Sequence, residues 1–426
     1  MSHGPLGLRS VGGGSDVPSE LVWAQQQRAA AWPYRDLDVA GLLRSPSWSP
    51  TPFREFVLKV HQRCNLVCDY CYVYTQADQS WRHRPASMSD EVLRASVANL
   101  ARHVRRYDLT TVRVILHGGE PLLYGEARLS RLAASLRSGL PETCTVDISL
   151  QTNGVLLDTA MVEMLRRFNI SVGVSLDGLP TDHDRHRTTR RGRGSFAAAV
   201  AGIGILRLPE NLASYGGILC LVSPDTDPVR CYEQLVALEP PMIDFLLPHA
   251  NWEHPPRRWT GSPTPYADWL IAIFDRWYDT VDVRVRLFED MMGLLVGAPS
   301  GSEQVGLSAA ASIVVETDGA IEQVDALKSA YPGACATGLD VRLDEFDAAL
   351  VDPGVIARQI GWEALAVQCR QCPVADVCGA GHYAHRYDPR NGFLNPSVYC
   401  ADMFKLIQHV YTRVDSQVRR VAERPK

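Results

Sequence analysis

Six strand-like runs, separated by helical segments, lie between residues 53 and 248 and constrain the fold more than any other feature of the sequence. This alternation predicts an α/β protein with a parallel sheet, because parallel neighbours need a crossover connection, which is right-handed. Six such units form either a doubly wound sheet or an incomplete barrel that is open on one side. The runs occupy 53–60, 111–117, 145–151, 170–176, 215–222 and 242–248.

The helical segment between the first and second runs has a recognisable start in the sequence. Ser87, with Asp90 three residues later, suits an N-cap. Apolar residues then follow mostly at helical spacing, namely Met88, Val92, Val97, Leu100 and Val104.

Polar signatures follow four of the six runs. A C-x3-C-x2-C motif comes after the first run, HGGE (117–120) after the second, QTNG (151–154) after the third and SLDG (175–178) after the fourth. The carboxyl ends of parallel strands meet at one edge of a sheet or one face of a barrel, where such folds hold their ligands. We therefore expect these four signatures to converge on one site.

Cys64, Cys68 and Cys71 form the first signature, and three thiolates do not complete a structural zinc site, which needs four protein ligands. His61 is the only local candidate for a fourth ligand. A second group, Cys369, Cys372, Cys378 and Cys400, has enough thiols to enclose either a zinc ion or an iron–sulfur cluster. The remaining cysteines, Cys144, Cys220, Cys231 and Cys335, are predicted to be packing or turn residues.

Composition and charge exclude several classes of function. Apolar residues make up 46% and charged residues 21%, which is ordinary for a globular protein, and the net charge of -5 gives no reason to expect nucleic-acid binding. Neither a secretion signal nor a run of roughly 20 apolar residues is visible, so we predict a cytoplasmic protein without a membrane partner. The most basic run, DRHRTTRRGRG (184–194), is either a solvated loop or a contact for an anionic peptide.

The C-x3-C-x2-C motif after a first strand, with GGEP (118–121) after the second, resembles the radical S-adenosylmethionine (SAM) superfamily. The resemblance implies a partial (β/α)6 TIM-like barrel. It also implies that Cys64, Cys68 and Cys71 hold a [4Fe-4S] cluster whose fourth iron binds SAM. The residues that would contact SAM are Tyr70, Gly118, Gly119, Glu120, Asn153, Ser175, Asp177 and Arg187. For Asn153, Ser175 and Asp177 an alternative is a role as strand-end caps or turn residues.

The second cysteine group resembles the SPASM extension of peptide-modifying members of that superfamily. A full SPASM set holds two auxiliary clusters, but here Val324 and His382 stand where two of its cysteines are expected. The resemblance therefore implies one auxiliary [4Fe-4S] cluster on Cys369, Cys372, Cys378 and Cys400, with zinc as the alternative.

Segments such as LHGGEPLL, VVETDGAIEQVDALK and CGAGHYAHRY further resemble the FxsB-type maturases of ribosomal peptides. What this implies is abstraction of a Cβ hydrogen from a precursor peptide and a C–C cross-link to an aromatic ring, a three-residue cyclophane. Other outcomes stay open: thioether formation, epimerisation, side-chain oxidation or sulfatase activation. Flavodoxin or ferredoxin would supply electrons. No catalytic base is assigned, and Asp290, Asp325 and His382 are all candidates.

Four parts of the chain are expected from these patterns. A flexible leader with a short helix near Leu21 to Ala31 covers 1–52, and the radical SAM partial barrel covers 53–290. A bridging region covers 291–365, and an auxiliary-cluster region with a C-terminal helix covers 366–426.

Overall fold

A mixed sheet of ten strands dominates the computed structural model, which describes residues 39–45, 47–257 and 261–422. The helix predicted near Leu21 to Ala31 lies outside the described residues. The strands of this sheet are β1 (Glu55–His61), β3 (Thr111–Gly118), β4 (Thr145–Thr152), β5 (Ile170–Ser175), β7 (Tyr215–Leu221), β8 (Met242–Leu246), β9 (Arg284–Val285), β10 (Ser312–Val315), β11 (Ala320–Glu322) and β12 (Ala336–Asp340). A separate pair consists of β2 (Leu66–Cys68) and β6 (Arg187–Thr189).

The six predicted strands lie side by side in the middle of the sheet. The order is β12-β11-β10-β1-β3-β4-β5-β7-β8-β9, and every neighbouring pair from β10 to β9 is parallel. The predicted α/β class with a parallel sheet is therefore confirmed. Between β9 and β12, at the two ends of this order, no pairing joins the described residues, so the barrel is not closed.

Four strands extend the sheet beyond the prediction. At one edge, two-residue β9 continues the parallel set after β8. At the other edge, β10 pairs parallel with β1, and β11 and β12 continue from it as antiparallel strands. These strands are two to five residues long, too short to show a clear alternation of apolar and polar residues.

Alternation along β3 shows how the sheet curves. Val112, Val114 and Leu116 belong to the hydrophobic core, whereas Arg113, Ile115 and His117 line a central cavity. Since side chains of a strand alternate between faces, one face of the sheet surrounds the cavity and the other packs against helices.

Helices cover the outer face and the C-terminal end. Their bounds are α1 (Val39–Arg44), α2 (Asp90–Arg106), α3 (Glu126–Gly139), α4 (Thr159–Arg167), α5 (Pro180–His186), α6 (Phe196–Leu206), α7 (Pro228–Val236), α8 (Pro265–Thr280), α9 (Arg286–Leu295), α10 (Phe346–Ala349), α11 (Pro353–Ala357), α12 (Val367–Arg370), α13 (Ala375–Cys378) and α14 (Cys400–Ala422). Among the described residues, no helix is both long and apolar enough to cross a lipid bilayer.

The start of α2 corrects one sequence prediction. Ser89, not Ser87, is the N-cap, and its hydroxyl accepts a hydrogen bond from the Val92 amide at 3.2 Å. Ser87 instead forms an antiparallel bridge with His61, which places it before the helix begins. The two serines compete for the same role, and the backbone pairing at the end of β1 decides between them.

Behind the sheet edge lies a buried ionic network, defined here as Lys59, Arg84, Glu316, Glu322, Asp325 and Lys328. The Lys328 ammonium contacts Glu316 and lies 3.1 Å from Glu322 Oε2 and 3.2 Å from Asp325 Oδ1. Lys59 lies 2.7 Å from Asp325 Oδ2, and Arg84 pairs with Glu316 and Glu322. The three carboxylates come close enough together to suit a metal ion, but the Lys328 ammonium contacts all three.

Candidate active site

A cavity of about 590 Å3 fills the space enclosed by the curved sheet. All three cysteines of the C-x3-C-x2-C motif line it at the carboxyl ends of the strands. The cavity also reaches Glu55 and Arg113, at the amino ends of β1 and β3. Its volume falls in the range of cofactor and ligand pockets. Each of the four polar signatures has residues in the cavity wall, which confirms that the signatures converge on one site.

The cysteine loop is held in place by backbone pairing. Strand β2 pairs antiparallel with β6, which sets Cys68 opposite Arg187. Burial raises the pKa of the Cys64 thiol to about 12 and that of Cys68 to about 11. A buried thiolate is unfavourable without a compensating cation, so these thiols suit a site where iron provides positive charge.

His61 does not complete a zinc site. Its Nδ1 accepts a hydrogen bond from the Arg63 amide at 3.2 Å, which directs the ring into its own turn. This contact occupies only Nδ1, but among the described residues no three ligand atoms from His61, Cys64, Cys68 and Cys71 lie within 4.8 Å of one another, so the histidine is not placed to complete a zinc site with them.

The two glycines of GGEP allow the second strand to approach the cysteine loop. A Cβ on Gly118, whose φ is +149°, would lie 2.1 Å from the His61 carbonyl oxygen. A Cβ on Gly119 would lie 1.9 Å from Tyr74 Oη and 2.6 Å from the Arg63 carbonyl. Both glycines line the cavity, so their missing side chains leave the backbone accessible to a ligand.

Replacing Gly119 by alanine is expected to abolish most SAM binding and to lower the melting temperature, because backbone atoms of the cysteine loop would have to move. Gly204→Ala is the matched control: it lies on α6, where an added Cβ meets nothing within 4 Å, and is expected to be neutral or slightly stabilising. Equilibrium dialysis with SAM and thermal unfolding measure both effects. Wild-type SAM affinity in Gly119→Ala would contradict this account of the motif.

Glu120 lies behind the cavity wall. Its Oε1 accepts hydrogen bonds from Leu122 N at 3.0 Å and Thr152 Oγ1 at 2.7 Å, and its Oε2 accepts one from Asn153 N at 2.9 Å. The side chain is fully buried and ties the end of β3 to the end of β4. A direct SAM contact by Glu120 stays a prediction, while its positioning of Asn153 is visible.

Tyr70, Asp177 and Arg187 form a polar triad beside the cysteines. Tyr70 Oη donates a hydrogen bond to Asp177 Oδ2 and accepts one from Arg187 Nη1 at 2.7 Å. The Arg187 guanidinium also lies 3.7 Å from Asp177. Burial raises the pKa of Tyr70 well above its usual value, so the phenol stays protonated. Arg187 Nε is buried and has no partner in the described part of the chain, which leaves a donor for a ligand.

The ends of β4 and β5 add amide and hydroxyl groups. Asn153 Nδ2 donates to Asn65 Oδ1 at 2.8 Å and lies 3.7 Å from Cys64 Sγ. Ser175 Oγ accepts a hydrogen bond from Gln151 Nε2 at 2.9 Å. Of the eight residues predicted to contact SAM, every one except Glu120 lines the cavity.

The second cysteine group comes together near the start of α14. Burial raises the pKa of Cys378 to about 12, and Cys400 and Cys369 are close enough to raise it further. Cys372 similarly acts on Cys369 and on Cys400. Among the described residues, no three of these sulfurs lie within 4.8 Å of one another. Zinc–sulfur bonds of about 2.3 Å would hold such sulfurs about 3.8 Å apart, so a zinc ion would require these side chains to move closer together.

The other four cysteines are buried and have other contacts, as predicted. Cys335 Sγ donates to Glu322 Oε2 at 3.2 Å, and Cys220 Sγ and Cys231 Sγ are 3.9 Å apart. Cys144, the residue before β4, packs in the hydrophobic core.

Three histidines form part of the cavity wall, and of these the sequence analysis named only His382. The rings of His249, His382 and His385 have centroids 5.4 to 6.1 Å apart. Burial lowers the pKa of His249 to about 3 and that of His382 to about 4, so both rings are neutral at physiological pH. His249 Nδ1 and His385 Nε2 are buried without a partner among the described residues. His249 directly follows a predicted strand, which is the signal that could have revealed it.

The base candidates occupy different places. His382 lines the cavity, whereas Asp325 belongs to the buried ionic network and Asp290 accepts a hydrogen bond from Ser302 Oγ at 3.0 Å. Both aspartates have other partners, and of the three candidates only His382 lines the cavity.

Comparison with protein families decides what this site is. Residues 58–208, which span the cysteine loop, GGEP and β5, match the family model described as the Radical SAM superfamily. Residues 58–208 therefore belong to the radical SAM superfamily. This radical SAM protein is an iron–sulfur enzyme whose cofactors are SAM and [4Fe-4S] clusters.

Curated relatives cover most of the radical SAM chain. It is 28% identical over 350 residues to a serine-type anaerobic sulfatase-maturating enzyme of Klebsiella aerogenes, covering 79% of this chain and 81% of that protein. It is 26% identical over 273 residues to a cysteine-type anaerobic sulfatase-maturating enzyme of Clostridium perfringens, covering 62% of this chain and 71% of that protein.

Solved structures share the radical SAM fold. The structure of anSMEcpe with bound AdoMet and a peptide superposes with a TM-score of 0.74 at 20% identity, covering 86% of this chain and 99% of that one. SuiB of Streptococcus suis, bound to the precursor peptide SuiA, gives a TM-score of 0.52 at 13% identity, covering 88% and 86% of the two chains.

The residues of the cavity fit the cofactors of this radical SAM enzyme. Cys64, Cys68 and Cys71 would hold three irons, and the Tyr70, Asp177 and Arg187 triad would orient the polar parts of SAM. When bound and reduced, the cofactors supply a 5′-deoxyadenosyl radical that removes hydrogen from an unactivated C–H bond. The protein's own residues would bind and orient these cofactors.

Proposed function

We propose that this enzyme is a maturase that oxidises a side chain of a peptide or protein substrate at its Cβ carbon. The observation that carries the proposal is that one cavity is lined by the cysteine loop, by the predicted SAM contacts and by further residues that are not among those contacts. A cofactor and a substrate side chain therefore share one enclosed space, as hydrogen abstraction requires.

The character of the cavity supports a peptide side chain as substrate. Its wall beyond the SAM contacts includes Leu219, Leu221, Leu246 and Met403, which suit an apolar or aromatic group. The unpartnered nitrogens of His249 and His385 add polar atoms that peptide groups would satisfy, because an unsatisfied buried nitrogen costs about 1–3 kcal/mol.

Two products are consistent with this chemistry. Sulfatase maturation is supported by the names and coverage of the relatives from Klebsiella and Clostridium. A Cβ radical that carries the hydroxyl of a serine would lose one electron and one proton to give an aldehyde. The cyclophane cross-link is supported by the resemblance to FxsB-type maturases. There the Cβ carbon would join an aromatic ring before the same loss of an electron and a proton.

The auxiliary cysteines are placed to serve either product. Cys378 and the cavity-lining His382 are four residues apart, and Gly381 and Ser397 also line the cavity. A cluster on the second cysteine group would lie behind this wall and could take up the electron that the substrate loses. An external reductant, such as flavodoxin or ferredoxin, would supply the electron that starts each turnover.

Mass spectrometry tests the proposal and separates the two products. The reconstituted enzyme, SAM and dithionite are incubated with a serine-containing sulfatase peptide or with a precursor peptide encoded beside the gene. We expect 5′-deoxyadenosine and a peptide lighter by two hydrogens. An aldehyde captured by a hydrazide probe indicates side-chain oxidation, and suppressed fragmentation within three residues without capture indicates the cyclophane.

Omitting SAM is the control for this experiment, since any iron-dependent oxidation that does not use SAM would persist without it. If 5′-deoxyadenosine is released, the peptide mass is unchanged in H2O and the peptide takes up deuterium in D2O, the reaction is epimerisation and the proposed oxidation is wrong.

A further inference from the structure

A basic hairpin, defined here as residues 187–194, pairs directly with the cysteine loop. Its first strand, β6, pairs with β2, so that Thr189 aligns with Leu66 and Arg187 with Cys68. The chain then turns back, with Thr189 N donating to the Arg193 carbonyl at 2.8 Å. The hairpin therefore lies directly beside the cysteine loop, and backbone pairing holds it there.

The return of the hairpin is also anchored. Asp184 Oδ1 accepts hydrogen bonds from the amides of Ser195 and Phe196, each at 2.8 Å, where α6 begins. Ser195 Oγ donates to the Arg187 carbonyl at 2.6 Å. These contacts fix both ends of the turn relative to the cysteines.

Three arginines at the tip carry charge that the protein does not neutralise. Arg190, Arg191 and Arg193 are exposed, and none forms an ion pair within the part of the chain that the structure describes. Arg185, by contrast, pairs with both Asp182 and Asp225. The chain as a whole has a net charge of -5, so this patch is a local exception beside the cluster loop.

We propose that the basic hairpin is the docking surface for an acidic one-electron carrier protein that reduces the SAM-binding cluster. The inference rests on the proposed function, because only a cluster at Cys64, Cys68 and Cys71 requires an electron there. The carrier loses one electron and the cluster gains it, with no other reactant. Charge complementarity would steer the carrier to the side of the molecule nearest Cys68.

An exposed apolar residue supports a protein contact at this place. Val67, between Leu66 and Cys68 on β2, is 52% exposed and lies opposite Thr188 of the hairpin. Apolar contact at the centre with charged residues at the rim is the usual composition of transient interfaces. The carrier would thus contact β2, the strand that ends at Cys68, a proposed ligand of the cluster.

An acidic substrate peptide is the competing occupant, and the geometry disfavours it. Of the hairpin's four arginines only Arg187 lines the cavity, whereas Arg190, Arg191 and Arg193 lie outside it. A substrate side chain must enter the cavity to react. A carrier protein needs only to approach the cluster loop from outside.

The test compares two triple variants of the loaded enzyme that change net charge equally. R190E/R191E/R193E alters the hairpin, and R94E/R105E/R131E alters exposed arginines on α2 and α3 that form no ion pair among the described residues. Calorimetry measures the dissociation constant for an acidic flavodoxin at low and high salt. Stopped-flow absorbance measures cluster reduction by reduced flavodoxin and, separately, by dithionite.

We expect the hairpin variant to bind flavodoxin at least about tenfold more weakly at low salt and to lose most of the salt dependence. Its reduction by flavodoxin slows in parallel, while reduction by dithionite is unchanged. Unaltered flavodoxin binding, an equal loss in the control variant, or loss of peptide binding alone in a separate titration with the peptide would overturn the inference. Binding is measured without a peptide substrate, so failure of the proposed peptide chemistry under dithionite would be seen separately.

Discussion

Replacing Cys64, Cys68 and Cys71 together by alanine is expected to abolish SAM cleavage completely while the fold is retained. The three thiols line the cavity and do not belong to the hydrophobic core, so their loss removes ligands without opening a core cavity. Without them no iron is held beside the predicted SAM contacts. Iron content should fall by about half if one auxiliary cluster remains.

The control for this variant is Cys144→Ala/Cys220→Ala/Cys231→Ala, which removes three buried thiols that do not line the cavity. It should keep the full iron content and SAM cleavage, at some cost in stability. Metal analysis of the cavity variant also decides between the two interpretations of the second cysteine group, because residual iron supports a cluster and residual zinc supports the alternative. If the Cys64/Cys68/Cys71 variant still produced 5′-deoxyadenosine, the assignment of these three cysteines as cluster ligands would be wrong.

Replacing Lys328 by methionine is expected to lower the free energy of unfolding by about 3–5 kcal/mol. The ammonium is 3% exposed and contacts Glu316, Glu322 and Asp325, so its removal leaves buried carboxylates with too little positive charge. Chemical denaturation at neutral pH measures the change. Lys405→Met is the matched control, because Lys405 pairs with Asp268 at the surface, where the same substitution should cost no more than about 1 kcal/mol.

The same network sets the response to acid. Burial alone would raise the pKa of Glu316, but Lys328, Lys59 and Arg84 outweigh it and lower the pKa from 4.5 to about 2. A carboxylate with a lowered pKa stabilises the fold above its unfolded pKa, and the contribution is lost as the pH falls through the folded value. Wild-type stability should therefore fall between about pH 4.5 and pH 2, and the fall should be shallower in Lys328→Met. Equal acid sensitivity in both proteins would contradict this role.

The sequence predicts the middle of the sheet, the cysteine loop and the residues that line the cavity beside it, because all of these follow from local patterns. Strands β3 and β4 alternate strictly, and the polar signatures directly follow them, so their shared edge could be inferred. Strands β9 and β10 could not, since two and four residues show no period. The shift of the N-cap from Ser87 to Ser89 was decided by a backbone bridge to β1, which no helix propensity reports.

Tertiary contacts explain what the sequence could not show. His249 and His385 are 136 positions apart and meet only because the segment before α14 folds back over the end of β8. Lys59 and Asp325 form an ion pair across more than half of the chain, and neither residue type is expected in a buried position. Both cases depend on which segments meet, and periodicity within one segment carries no such information.

The pairing of β10 with β1 has a consequence for the order in which the protein is completed during synthesis. Strand β1 is the first of the sheet to leave the ribosome, but its neighbour on one side comes from Ser312–Val315, about 250 residues later. Until then β1 has an unpaired edge, which is a site for misassembly and aggregation. The first strand to be synthesised is therefore among the last to gain both of its neighbours. The cysteine loop that follows β1 stays next to an unpaired strand edge for most of translation.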